Sequence, residues 1–257
     1  MRLGFLWKWT IPVLLAMALG SVAIMYLIAS GVPACYQPVQ LNQVERGQAA
    51  RQFLGRIQDL SNLAQNNAPF AWSISQEEIN DALASVDQIA EKFQEGKAVE
   101  VQKVMESSGV SGLAVALDNG TMSLMLHSKD LDKIISVDIQ YVFDDQGQLR
   151  VRWAGTRIGD LPIPQSLARD QLTRLQETLG SRLSQAHASS QPTGIGLGGI
   201  SADDIAGVVA GVIEAIDGKP LPTERTWPVN HKRLRIEGIE IDKGKLTLHM
   251  QPATPRR

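Results

Sequence analysis

The chain has 257 residues, of which 44% are hydrophobic and 20% are charged. These proportions are typical of a globular protein and exclude both a disordered chain and a multi-span transporter. The formal net charge is −2, and no concentrated basic segment is present, so nucleic acid is not expected as a partner. The single cysteine, Cys35, excludes an intramolecular disulfide and any site built from paired cysteines.

The first long apolar run predicts a membrane anchor. Residues 11–28, IPVLLAMALGSVAIMYLI, carry no charge, and as a helix they would span about 27 Å, close to the thickness of a bilayer's hydrocarbon core. Arg2 and Lys8 precede the run, and no charged residue follows Lys8 until Glu45. The positive-inside rule therefore predicts a cytoplasmic segment at 1–10, a single-pass anchor at 11–30, and the bulk of the chain on the periplasmic or outer face of the cell membrane.

Two alternatives to a permanent anchor stay open. A cleaved signal peptide also begins with cations and an apolar run, although its apolar core is usually shorter. Cys35 follows Val32-Pro33-Ala34, which loosely resembles a lipoprotein cleavage box in which the cysteine would be acylated. The third interpretation of Cys35 is an inert thiol.

Residues 31–69 are interpreted as a juxtamembrane linker and an amphipathic helix. The apolar residues fall at helical spacing between 41 and 64, namely Val44, Phe53, Ile57, Leu60 and Ala64. Residues 70–74 then alternate large apolar with small side chains, as in a short half-buried strand.

Ser75 and Glu78 have the spacing of a capping box, which predicts a helix that starts after Ser75 and ends near Gly96. Its apolar stripe would consist of Ile79, Leu83, Val86, Ala90 and Phe93.

The remainder of the predicted domain at 70–250 is rich in strands. Residues 110–117 and 121–127 flank Asn119-Gly120, a dipeptide that favours a tight hairpin. The segments 134–143 with 149–158, and 233–241 with 245–250, predict two further hairpins. Successive hairpins favour an antiparallel, meander-like sheet over a parallel one.

Two more helices are expected within this domain, at 165–186 and at 201–218, separated by a flexible Gly, Ser and Pro-rich loop at 189–199. A tail at 251–257 follows. The predicted fold class is therefore α+β, with an N-terminal transmembrane helix followed by an antiparallel sheet packed against several amphipathic helices.

No catalytic, metal or cofactor site is predicted. The histidines lack any paired metal-binding spacing, and no GxSxG nucleophile motif occurs. The run 194–199, GIGLGG, lacks the Lys-Ser/Thr of a phosphate-binding loop. Four aspartates are interpreted as turn residues rather than metal ligands: Asp130, Asp132, Asp144 and Asp145.

An apolar face remains as the candidate ligand site. A hydrophobic groove between the sheet and the helices would hold an acyl chain, and its first candidate residues are Phe70, Trp72, Ile74, Ile79 and Leu83. The alternative is that these side chains belong to an ordinary core.

Three short motifs accompany the anchor. They are Ser75-Gln76-Glu77-Glu78-Ile79-Asn80, the GDLPIP element at 159–164, and the hairpin IEIDKGKLTL at 239–248. With the anchor, they resemble the YpmS-like group of single-pass bacterial envelope proteins, whose plan is similar to tubular lipid-binding (TULIP-like) domains. The helical segment 165–218 departs from that group.

The resemblance implies a non-catalytic extracytoplasmic domain that binds or presents a lipid-like molecule, with the bilayer as its first partner. The alternative is a scaffolding protein of envelope assembly that binds another envelope protein and no small ligand.

Overall fold

The computed structural model describes residues 25–66, 68–93, 105–107, 109–164, 220–221, 223–226 and 233–253. Within these ranges no helix is both long enough and apolar enough to cross a membrane. The predicted anchor falls largely outside them, at residues 11–24. The helices expected at 165–186 and 201–218, with the loop between them, also lie outside the described residues.

The fold is α+β with antiparallel sheets. Besides short helical turns at 25–29 and 105–107, the described helices in chain order are α1 (Gln43–Gln65), α2 (Gln76–Ala84) and α3 (Val86–Phe93). Its strands are β1 (Phe70–Ser75), β2 (Val110–Asp118), β3 (Thr121–Ser128), β4 (Lys133–Phe143), β5 (Leu149–Ile158), β6 (Leu161–Pro162), β7 (Glu224–Thr226), β8 (Arg233–Asp242) and β9 (Lys245–Pro252).

The strands form two sheets, where the sequence predicted one. The five-stranded sheet has the order β2-β3-β4-β5-β6, which is the expected meander. The four-stranded sheet has the order β1-β9-β8-β7, so the strand at 70–75 pairs with the C-terminal hairpin. Pattern within a strand indicates which face is buried but not which distant strand lies alongside, and this pairing was therefore missed.

The two sheets meet where their hairpin turns touch. Asn119 (φ 40°) and Gly120 (φ 82°) adopt the left-handed conformation that the tight β2–β3 turn requires, as their sequence predicted. The Gly120 amide donates to the carbonyl of Ile241 at 2.7 Å, and the Gly244 amide donates to the carbonyl of Leu117 at 2.9 Å. These bonds join the β2–β3 hairpin to the β8–β9 hairpin.

The helix predicted from Ser75 to near Gly96 is two helices. The capping box forms as expected, but the helix breaks at Ser85, whose hydroxyl donates to the carbonyl of Asp81 at 2.8 Å. A buried serine that bonds to its own preceding turn competes with the helical backbone pattern. The chain therefore turns at Ser85, and α3 begins at Val86.

Two apolar clusters fill the interior. One joins the five-stranded sheet to β8 through Val115, Leu117, Met122, Val137, Ile139, Val151 and Ile241. The other joins α1 to the four-stranded sheet through Leu60, Ala64, Trp72, Ile74, Leu234 and Met250. Ile79 of α2 and Leu246 of β9 pack against both clusters. Helix α1 thus belongs to the same core as the strands.

Candidate functional site

Within the part of the chain that the structure describes, β1 is an outer strand of the four-stranded sheet and pairs with β9 alone. Its sequence, FAWSIS, contains no proline and no charged residue, and its register with β9 shows no bulge. Proline, charge and bulges are the usual devices that prevent an edge strand from pairing with another chain. Strand β1 itself contains none of these three devices.

The hydrogen-bond pattern determines which backbone groups of β1 face outward. The Gln76 amide donates to the Gly244 carbonyl at 2.9 Å, so the residues at even positions along β1 point their amides and carbonyls toward β9. The Ser75 amide, at an odd position, is consistent with this pattern because it donates to the Glu78 carboxylate at 2.8 Å rather than to β9. The amides and carbonyls of Ala71 and Ser73 therefore face outward, and among the described residues they have no partner.

A groove lies between β1 and α1 and extends to Lys245 at the start of β9. Its volume is about 580 Å³, and its lining consists of Arg56, Asp59, Asn62, Leu63, Ala71, Trp72, Ser73 and Lys245. Leu63 and Trp72 give it an apolar floor, and charged side chains give it a polar rim. The groove can accept an extended chain that bonds to β1 on one side and contacts α1 on the other.

Two interactions hold α1 at the groove. The indole Nε1 of Trp72 donates to the Arg56 carbonyl at 3.2 Å, and the Arg56 guanidinium pairs with Glu78 at 2.6 Å. These contacts tie α1 to β1 and to the start of α2. The width of the groove is therefore fixed by side chains from all three elements.

The pair between Arg56 and Glu78 changes the pKa of both groups. Partial burial favours the protonated form of Glu78, but the Ser75 amide and the Arg56 guanidinium outweigh burial and lower the pKa of Glu78. The hydrogen bond and charge of Glu78 raise the pKa of Arg56. Asp81, one turn further along α2, has a raised pKa because of partial burial and the nearby charges of Glu77 and Glu78.

Two of the predicted ligand residues, Trp72 and Ile74, are buried, and Phe70, Ile79 and Leu83 are partly buried. Phe70, Trp72, Ile74 and Ile79 are brought together in the cluster beneath α1, and Leu83 packs with Ile79 against the cluster of the five-stranded sheet. Among them, only Trp72 lines the groove. Sequence reasoning missed Arg56, Asp59 and Lys245, since their convergence depends on the pairing of β1 with β9.

The described residues contain no group of three or more His, Cys, Asp or Glu side chains placed to hold a metal ion. Two of the four aspartates assigned to turns have local partners. Asp144 accepts from the Gln146 and Gln148 amides, and the Arg150 guanidinium that bonds to it lowers the pKa of Asp144. Asp132 faces His127 at 3.2 Å.

No protein-family model, no curated protein sequence and no solved structure matches the chain.

Proposed function

We propose that the chain is a non-catalytic binding module of the cell envelope, anchored by residues 11–30, which holds an extended segment of another envelope protein in the groove between α1 and β1. One observation carries this proposal. The amides and carbonyls of Ala71 and Ser73 face outward beside a groove, in a strand that has no proline, charged residue or bulge to hinder strand pairing. An incoming strand supplies the backbone partners that those groups lack.

The composition of the groove fits a peptide segment. In an extended chain, alternate side chains point to opposite sides. One side chain of the partner would reach the apolar floor at Leu63 and Trp72, and its neighbours would reach the polar rim at Arg56, Asp59 and Lys245. Affinity would come mainly from backbone bonds, and specificity would come from these side-chain contacts.

A lipid-like ligand is the second candidate for the same groove. It is favoured by the apolar floor, where Trp72 from the predicted ligand set lies next to Leu63. An acyl chain offers no partners to the outward amides and carbonyls of Ala71 and Ser73, and the proposal therefore gives preference to a polypeptide.

The location of the module is part of the proposal. The cations before residues 11–28 and the long uncharged stretch after them support an anchor with its N-terminus in the cytoplasm and its bulk outside. A reporter enzyme that is active only outside the cytoplasm, fused to the C-terminus, is expected to be active. An inactive but intact fusion would contradict this topology.

Site-specific photo-cross-linking in native membranes tests the groove. The full-length chain would carry p-benzoylphenylalanine at Ala71 in one version and at Val142 in the other. Val142 is exposed and lies at the far end of β4. We expect the probe at position 71, and not the one at 142, to form an adduct with a polypeptide.

A further substitution tests whether strand pairing causes the cross-linking at position 71. Ser73→Pro removes an outward amide while leaving the bonds to β9 intact, so the fold is expected to survive and the adduct to disappear. Ser73→Ala keeps the amide and is the matched control, which should retain the adduct. Adducts with lipid alone would favour the second candidate. Absence of any adduct, or one unaffected by Ser73→Pro, would contradict strand pairing.

A further inference from the structure

The last residues of the predicted anchor, which the structure describes from Met25 onward, are attached directly to the five-stranded sheet. Residues 25–29 are helical, and the carbonyl of Ile28 accepts from the Asp160 amide at 3.2 Å. Lys133 donates to the Ser30 hydroxyl at 2.9 Å, and its ammonium lies 5.0 Å from the ring centre of Tyr26. The start of β4 and the β5–β6 turn therefore hold this segment from two sides.

A glycine makes this attachment close. Gly159 has φ +57°, and a Cβ at that position would collide with the carbonyls of Ala29 and Gly31. Backbone therefore packs on backbone there, which only glycine permits. Further along, the Tyr36 hydroxyl donates to the Gly112 carbonyl at 2.8 Å, which attaches the chain to β2 as well.

Exposed apolar side chains gather at this same end of the domain. Leu27 is 68% exposed and Leu131, in the β3–β4 turn beside Lys133, is 53% exposed. Among the described residues, the large exposed apolar side chains at this end are Val32 and Leu131, together with four residues at the end of the predicted anchor: Met25, Tyr26, Leu27 and Ile28. A cluster of this kind marks a surface that another apolar phase covers.

We infer that this end of the domain rests on the surface of the phospholipid bilayer, with the β3–β4 turn at the level of the headgroups. The inference rests on the proposed anchor, because the apolar run 11–28 enters the domain at this point. Leu131 and Val32 contact the outer edge of the acyl region, and Tyr26 and Lys133 lie at the interface, where tyrosine and lysine side chains are common. The domain thus has a fixed orientation on the membrane.

The charges at this end indicate which kind of lipid contact to expect. Among the described residues around these two turns, Lys129 and Lys133 are offset by Asp130, Asp132 and Asp160, so these residues carry no net positive charge to attract anionic headgroups. The contact is apolar in character. It should form equally on neutral phosphatidylcholine and on mixtures that contain phosphatidylglycerol.

A pair of probes at opposite ends of β4 tests the orientation. Cys35→Ser first removes the native thiol, and Leu131→Cys or Val142→Cys then adds one labelling position to the full-length chain. The strand between them has 11 residues, or about 35 Å. An environment-sensitive fluorophore at each position is measured in vesicles that contain spin-labelled phosphatidylcholine.

We expect spin-labelled lipid to quench the probe at 131 strongly and the probe at 142 little, with and without phosphatidylglycerol. Flotation of the vesicles tests the proposed anchor independently of the proposed orientation. If the chain floats with the vesicles but the two probes are quenched equally, the orientation is wrong and the anchor stands. If the chain does not float, the anchor and the orientation that rests on it both fail.

Discussion

Asn80 on α2 and Val115 on β2 exchange two hydrogen bonds between a side-chain amide and a strand backbone. The Val115 amide donates to Oδ1 of Asn80 at 2.7 Å, and Nδ2 of Asn80 donates to the Val115 carbonyl at 3.0 Å. Gln76, one turn earlier, accepts from the Leu117 amide at 2.7 Å. The outward backbone groups of β2 are therefore bonded to α2, whereas those of Ala71 and Ser73 on β1 have no partner among the described residues.

Loss of the Asn80 side chain should destabilise the fold strongly. Asn80 is only 5% exposed, so Asn80→Ala leaves the amide and carbonyl of Val115 buried without partners, at a cost of about 2–4 kcal/mol. Asn62→Ala, at an exposed position of α1, should change the free energy of unfolding by less than about 0.5 kcal/mol. Chemical denaturation of the full-length chain in detergent measures both. Equal effects would contradict the bridge between α2 and β2.

The ion pair between Arg56 and Glu78 should make stability depend on pH. The pKa of Glu78 is lowered by folding, so its contribution is complete above its unfolded value near 4.5 and is lost as the pH falls through the lower, folded value. Glu78→Gln keeps the capping bond but removes the charge. We expect the variant to be less stable than wild type at neutral pH, and the difference to shrink in acid.

Asp81→Asn is the matched control for that experiment, because its effect on stability at neutral pH should be opposite to that of Glu78→Gln. The pKa of Asp81 is raised by folding, so its charge opposes folding at neutral pH and is relieved when the pH falls through the folded value. Asp81→Asn should therefore stabilise at neutral pH and lose this gain in acid. If the stability of the two variants changed with pH in the same way, the opposite pKa shifts of Glu78 and Asp81 would be contradicted.

Helix α1 should contribute to the core of the domain. Leu60 is 3% exposed and packs in the cluster beneath α1, so Leu60→Ala should cost about 2–4 kcal/mol. Val44, on the same helix, is 70% exposed, and Val44→Ala should change stability by less than about 0.5 kcal/mol. If Leu60→Ala were as mild as Val44→Ala in denaturant, α1 would be an appendage rather than part of the core.

Gly159 should be essential for the attachment of residues 25–36. Gly159→Ala places a methyl group against two carbonyls, whereas Gly147→Ala, also at positive φ, meets open space and costs only about 1–2 kcal/mol of backbone strain. We expect Gly159→Ala to destabilise more and to expose residues 29–36 to proteases. If proteolysis of the two variants were the same, the close backbone contact would be unimportant.

Local features of the fold were predictable because short segments determine them. The capping box of Ser75 and Glu78 spans four positions, and the turn at Asn119-Gly120 needs only the left-handed conformations of two residues. Both predictions are confirmed. The break at Ser85 was missed, because the apolar stripe continues through it and a buried serine leaves the helical period unchanged.

Features that depend on distant pairing could not be read from the sequence. The register of Phe70 with Met250 crosses most of the chain, and the groove exists only because of it. The sequence gives one weak indication of the role of Asn80, because it is a polar residue next to Ile79 in a helix with a regular apolar stripe. Its partner Val115 is identified only once β2 lies along α2.

Amide hydrogen exchange along β1 tests the central proposal most directly. A synthetic peptide that covers the cross-linked segment of the partner is added to the full-length chain, and exchange is followed residue by residue. Strand pairing predicts slower exchange at Ala71 and Ser73 with little change at Trp72, whose amide already faces β9. Uniform protection of all three amides, or no change at Ala71 and Ser73, would contradict the account.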